Sequence, residues 1–341
     1  MELSARIVSL ELAETFTIAR GPQDTADLVE VEIRHSGVSG YGEAAPLDRY
    51  GESPESALAY AEGVAGELGD DPFALEEVMK RLPAEEFAAR SAIDAALHDL
   101  CGKLEGEPVW RLLGLECGGP PTSWTIGLAD PDEVGRKAER AEASGRFRRL
   151  KLKLGGRDGL DVERVRAVRQ ATQVPLQVDV NEYWSPEEAL DALPQLDELG
   201  VEYCEQPLPA GDPGGAALKK ASPIPIYVDE DCHTLPDVAA CAAFAHGINV
   251  KLAKSGGIRE GVRMMHAARA LGLKVMLGCM VESGLGIAAG AAIASLCDHV
   301  DLDGNLLLAR DPWRGVSLVE GVQLPSEAPG LGVEQAVLDP R

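Results

Sequence analysis

The sequence predicts an α/β protein: a parallel (β/α) barrel preceded by an antiparallel α+β unit. Three observations carry this. From about Thr122 onward, eight short apolar, β-branched runs alternate with helical segments. The first hundred or so residues keep a different rhythm, with antiparallel strands followed by helices. Lys153, Asp179, Glu205, Asp229 and Lys251 are separated by 26, 26, 24 and 22 positions, each at or near the C-terminal end of such a run. That interval suits one strand, one helix and two loops, and a parallel barrel of such units brings all five side chains to one mouth.

The opening stretch, Met1 to Leu12, alternates polar and apolar residues and lacks the apolar core of a secretion signal. Val29, Val31 and Ile33 alternate with Glu30, Glu32 and Arg34, the pattern of a half-buried strand. His35 to Gly40 supplies a hairpin turn, and Tyr41 to Ala45 begins the return. Ile93, Ala96, Leu97 and Leu100 mark one face of a helix. Barrel strands are expected at Ser123–Gly127, Leu150–Leu154, Leu176–Val180, Val201–Glu205, Ile226–Glu230, Ile248–Leu252, Lys274–Gly278 and His299–Asp303. Helical segments such as Leu160–Ala171, Pro186–Leu199 and Arg259–Leu271 lie between them. No Gly-x-Gly-x-x-Gly follows an early strand, so a dinucleotide fold has no support. From about Asp311 the pattern is lost, and this segment is expected to return to the first unit. The expected division is therefore 1–120, 121–310 and 311–341.

Composition narrows the function. Hydrophobic residues make up 45% of the 341 and aromatics only 4%, so Leu, Val, Ile and Ala must fill the core. A formal charge of −24 argues against nucleic-acid or anionic-membrane partners, which need a basic footprint. No segment is long and apolar enough to span a bilayer. The seven cysteines are scattered without a Cys-x-x-Cys pair, which points to reduced thiols and a cytoplasmic location.

Lys151 and Lys153 lie two apart, so both face the enclosed side of one strand while Leu150, Leu152 and Leu154 face the helices. Two neighbouring ammonium groups disfavour each other's charge, which lowers a lysine towards the range of a proton acceptor. Asp179, Glu205 and Asp229 end successive strands. One alone could be a helix N-cap; three at matching positions suit a hard divalent cation such as Mg²⁺. No His or Cys occupies these positions, which disfavours zinc. Lys251 enters from nearly the opposite side of a barrel from Lys153. A carboxylate substrate on the metal would then have a lysine on each face of its α-carbon, one removing the proton and the other returning it. Lys254, three residues on, is a loop residue or a supporting charge in this reading.

These segments resemble a known family. Taken in order, Lys151-Leu-Lys153, Val178-Asp-Val-Asn181, Glu205-Gln-Pro-Leu208, Asp229-Glu-Asp231 and Lys251-Leu-Ala-Lys-Ser-Gly-Gly257 resemble the muconate cycloisomerase subgroup of the enolase superfamily, over essentially the whole chain. That superfamily pairs lysine or histidine bases with Mg²⁺. The resemblance implies a modified (β/α)₇β barrel, TIM-like, under an N-terminal α+β capping domain. It also implies one Mg²⁺ on Asp179, Glu205 and Asp229, Lys153 and Lys251 as bases, and Lys151 tuning Lys153. Asn181 and Glu230 would support the metal site.

Asp301 and Asp303 share a face, with Leu302 turned away. They are either an N-cap or a solvated turn beside Gly304, or a clamp for an ammonium group. The Asp-x-Asp resembles that of dipeptide epimerases, where it binds the substrate's free N-terminus. Phe16-Thr-Ile-Ala-Arg20-Gly21 resembles the specificity loop of epimerases acting on L-Ala-D/L-Glu, and Arg49-Tyr-Gly-Glu-Ser53 belongs to the same likeness. Arg20 would then reach a glutamate side chain. Thr125 is an ordinary strand threonine or a hydrogen-bond partner of the peptide unit. Glu282 hydrogen-bonds a lysine or caps the glycine-rich segment after it. The implied activity is epimerisation of L-Ala-L-Glu at its second residue, in murein peptide recycling, and analogy with the family adds a homo-oligomer to the expectations. The rivals are an o-succinylbenzoate synthase, an N-acylamino-acid racemase or a muconate cycloisomerase, and, outside enzymes, a barrel that only binds a metabolite.

Overall fold

The computed structural model describes residues 1–336. The capping unit is an antiparallel sheet of β1 (Glu2–Ile18), β2 (Gly21–His35) and β3 (Val38–Ala44), in that order. Val29, Val31 and Ile33 are fully buried and pack with Ala92, Ile93, Ala96, Leu97 and Leu100 of the helix Phe87–Glu105. On β3 the helix lies directly against the backbone, because a Cβ at Gly42 would run into the Ala92 carbonyl. Tyr41 and Glu43 alternate with that face and look the other way, towards Trp313 and Ser283.

β1 and β2 form a longer hairpin than the alternation at 29–33 indicates. Phe16 to Ile18 pair with Gln23 to Gly21, after a register shift between Glu11 and Phe16. The stretch expected as a loop at 16–21 is therefore the tip of a hairpin, and Gly21 at φ 136° lets the chain reverse there.

Eight parallel strands follow: β4 (Ser123–Ile126), β5 (Arg149–Lys153), β6 (Leu176–Asp179), β7 (Val201–Glu205), β8 (Ile226–Val228), β9 (Gly247–Lys251), β10 (Lys274–Gly278) and β11 (His299–Asp301). They are hydrogen-bonded in sequence order, with at least one helix between each pair, which is the (β/α)₇β arrangement. A parallel bridge between Thr122 and Val300 nearly closes the sheet, helped by the Leu302 N–H donating to Thr122 Oγ1 at 2.8 Å. Leu150, Leu152 and Leu154 pack outward with Val165 and Val168 of the helix Asp161–Ala171. Each such leucine contributes roughly 1.5–3 kcal/mol by leaving water. That anchoring leaves Lys151 and Lys153 facing inward.

From Asp311 to residue 336 the chain runs back against the cap; the rest of the expected 311–341 segment, 337–341, lies outside the described residues. Trp313 Nε1 donates to Glu30 at 2.8 Å, and the Leu331 N–H donates to Asp99 at 2.7 Å. All seven cysteines are unpaired, and no helix among the described residues is long and apolar enough to cross a membrane.

Candidate active site

Lys153 ends β5 and Lys251 ends β9, four strands apart in a nearly closed sheet of eight, so they stand on opposite sides of the mouth. Lys153 Nζ lies 2.6 Å from Asp179 Oδ2, and Lys251 Nζ lies 2.9 Å from Asp229 Oδ2. Lys151, 1% exposed, does not stand beside Lys153 alone. Its Nζ is 2.7 Å from Asp301, 2.7 Å from Glu205 and 3.3 Å from Asp179. Burial works against the Lys151 charge, but those three carboxylates outweigh it and hold the ammonium well above its usual range. Burial and Asp229 contend in the same way over Lys251, with the same net direction.

The register places Lys153 beside Asp179 and Asp179 beside Glu205, while Asp229 follows the end of β8. All three carboxylates are buried. Burial alone would raise Asp179 and Asp229; the lysines override it and hold both low. Glu205 goes the other way, raised by burial and by the Asp179 charge. As the side chains stand, no three acidic, histidine or cysteine groups among the described residues are gathered closely enough to chelate an ion. The donor set nonetheless fits a hard divalent cation: it is all oxygen, and buried Glu205 Oε2 has only the Lys151 ammonium, 2.7 Å away, to offset its charge.

Supporting contacts surround these ligand candidates. Asn181 takes a left-handed turn (φ 51°), which brings its N–H back to Asp179 Oδ1 at 2.9 Å and its Nδ2 to Oδ2 at 3.2 Å. Lys254, on the short helix Leu252–Ser255, donates to both the carbonyl and Oδ1 of Asp229 at 2.5 Å. Asn249 Nδ2 donates to Glu205 Oε1 at 2.7 Å. Sequence reasoning passed over Asn249, although its place two residues before Lys251 on the same inward face is the signal that finds it.

Asp301 ends β11, and Asp303 follows on the same side. The Thr125 N–H donates to Asp303 Oδ2 at 2.6 Å and its hydroxyl lies 3.3 Å from Asp301 Oδ1, so Thr125 braces the pair. Burial and the Asp301 charge push Asp303 up to about 7. Arg20, at the hairpin tip, pairs with Glu230 at 2.9 Å and stands 3.6 Å from Glu182, which Arg49 grips with two 2.8 Å hydrogen bonds. Burial, then Asp229, raises Glu230 to about 7. Neither Glu182 nor the role of Arg49 as its partner was apparent in the sequence. Glu282 accepts the Met280 N–H at 2.9 Å and touches no lysine directly. A cavity of about 150 Å³ lies between the hairpin tip and the mouth, lined by Lys151, Lys153, Lys251, Asn181, Asp301, Asp303, Thr125 and Arg20.

Comparison with known proteins agrees with this architecture. The profile described as "Mandelate racemase / muconate lactonizing enzyme, N-terminal domain" matches residues 2–114, and "Enolase C-terminal domain-like" matches 133–336. The chain is 40% identical to an L-Ala-D/L-Glu epimerase of Bacteroides thetaiotaomicron, covering 95% of this chain and 85% of that one. It is 36% identical to a hydrophobic dipeptide epimerase of a Flavobacteria bacterium, covering 97% of each. The dipeptide epimerase of Enterococcus faecalis, solved with Mg and L-Leu-L-Tyr, superposes with a TM-score of 0.91 at 32% identity, covering 98% of this chain and 99% of that one. The chain belongs to the enolase superfamily, in its mandelate racemase and muconate lactonizing branch.

Proposed function

We propose that this protein is a Mg²⁺-dependent dipeptide epimerase that interconverts L-Ala-L-Glu and L-Ala-D-Glu at the second α-carbon, serving the reuse of murein peptides. The observation that carries the reading is the placement of Lys153 and Lys251 on opposite sides of one mouth. Two bases facing each other across a carbon allow one to take the α-proton from one face and the other to deliver it to the opposite face. Asp179, Glu205 and Asp229 would hold the cation, which when bound offsets the negative charge that builds on the substrate carboxylate as the proton leaves. Asp301 and Asp303, braced by Thr125, offer the free N-terminus two acceptors. Lys151 keeps Asp301, Glu205 and Asp179 from repelling one another in a buried site.

Glutamate as the second residue rests on Arg20, which lines the cavity and would exchange Glu230 for the substrate's side-chain carboxylate. A second reading has its own support. Arg20 already has an acidic partner, and the same cavity is also lined by Ile18, Leu28, Pro46, Leu47, Met280 and Val281, which suits an apolar second residue. A dipeptide panel incubated with Mg²⁺ in D₂O tests both. Deuterium at the α-carbon of the second residue of L-Ala-L-Glu supports the first reading. Preferential exchange in L-Ala-L-Leu supports the second, and no exchange in any dipeptide sinks the proposal.

A further inference from the structure

The seam between cap and barrel buries carboxyl groups that the proton transfer does not use. Glu43, on β3, is 6% exposed and reaches the segment after β10. Ser283 donates its N–H to Glu43 Oε1 at 2.8 Å and its hydroxyl to Oε2. Glu282, the residue before Ser283, is 8% exposed. Both carboxyls border the space over Gly286 in the helix Gly284–Ala291, where a Cβ would lie 2.5 Å from Glu282 Oε2 and 2.7 Å from Glu43 Oε1. Gly286 leaves the space that the two acids fill.

The surroundings give this pair little relief. Glu30, the register partner of Glu43 on β2, is itself acidic, and its carboxylate is taken by Arg6 and by the Trp313 indole. Asp311 caps the same helix through the Gly284 N–H. Lys251 favours the Glu282 charge from the barrel side. No ion pair to Glu43 occurs among the described residues. Burial, with Glu282 and Glu30 adding to it, lifts Glu43 to about 8, and burial lifts Glu282 to about 7. Two carboxylates so close in a poorly solvated seam do not both ionise readily.

We propose that Glu43 and Glu282 share one proton, and that this acid pair positions the wall of the active-site cavity by fastening the capping sheet to residues 279–283. Cys279, Met280 and Val281 of that segment line the cavity. The Glu282 carboxylate holds the Met280 N–H, and Glu43 holds Ser283 at the segment's other end. Loss of the shared proton puts two like charges in the seam and slackens that wall.

The test compares full-length wild type with Glu43→Gln from pH 6 to 9, by Tm and by KM and kcat for the accepted dipeptide. A carboxyl raised in the folded state contributes stability that is complete below its unfolded value and is lost as pH rises through its folded value. Wild type should therefore lose Tm relative to Glu43→Gln as pH rises towards 9. Above pH 7.5, clear of the Asp303 limb, its KM should rise several-fold with kcat changing less, while the variant shows no such rise. Equal pH slopes in the two proteins overturn the proposal. If Glu43→Gln does not fold, Glu282→Gln removes the other half of the pair and should flatten the Tm slope likewise; an unchanged slope there overturns it too. The link to cavity geometry rests on the epimerase reading, but the Tm comparison does not, so absence of α-proton exchange would sink that reading and leave the acid pair standing.

Discussion

Lys151 Nζ lies 2.7 Å from Asp301 Oδ2, which ties the lysine beside a base to the carboxylate that would grip the substrate's amine. Its other close partners are Glu205 and Asp179, so one buried ammonium links the ammonium clamp to the candidate metal ligands.

Replacing Lys151 with Met should therefore do more than alter Lys153. It leaves three buried carboxylates facing one another, and removing one partner of a buried ion pair costs about 3–5 kcal/mol. Denaturant titration at neutral pH should show a loss of that order, together with loss of α-proton exchange. An unchanged midpoint would show that the three acids find other partners.

Asp303 sets a pH dependence. Its carboxyl is raised to about 7, so it is neutral below that pH and charged above it. A charged Asp303 is the form that attracts an ammonium group. The kcat/KM for a dipeptide with a free amine should therefore fall as pH drops through 7, while Asp303→Asn should be weaker throughout and lack that limb. An N-acetylated dipeptide, having no ammonium, should gain nothing from Asp303.

Lys254 makes two hydrogen bonds to Asp229 and does not line the cavity that Lys153 and Lys251 line. Removing such an outer partner typically costs about 10–100-fold in metal affinity. Lys254→Met should raise the Mg²⁺ concentration for half-maximal activity by that order, measurable also by direct Mg²⁺ titration calorimetry. A chelator should abolish exchange in the wild type, and added Mg²⁺ should restore it.

Arg20 decides between an acidic and an apolar second residue. A hydrogen bond to a charged group contributes about 1.5–3 kcal/mol, or roughly ten- to a hundredfold in kcat/KM. If Arg20 takes the glutamate carboxylate, Arg20→Ala should lower kcat/KM for L-Ala-L-Glu by that factor and leave L-Ala-L-Leu near wild type. A uniform change across both would place Arg20 in the Glu230 and Glu182 contacts alone.

The barrel was legible because strand period and helix period differ, and because Leu150, Lys151, Leu152, Lys153 and Leu154 write both faces of one strand in five letters. The observed barrel strands start and stop within two residues of where that pattern puts them. The charged series was legible for the same reason, since a regular repeat brings equivalent strand ends together. Partnership across the fold was not. Lys151 meets Asp301 from β11, Arg20 meets Glu230 from beyond β8, and Glu43 meets Ser283 from beyond β10. Each contact joins segments far apart in the chain, and no local pattern says which of several acids a cation will reach. The hairpin tip at Phe16 to Gly21 was obscured for a related reason: a strand there is defined by its partner, Gly21 to Gln23.

Lys153 and Lys251 across one mouth are the core of the account, and separate single substitutions test them most directly. Lys153→Ala and Lys251→Ala are each incubated with the LL and the LD epimer of the accepted dipeptide, with Mg²⁺ in D₂O, and α-deuterium is followed by NMR. The account predicts that neither variant epimerises, and that any residual exchange is confined to one epimer in one variant and to the opposite epimer in the other. Exchange of both epimers at wild-type rate in either variant would contradict a two-base transfer.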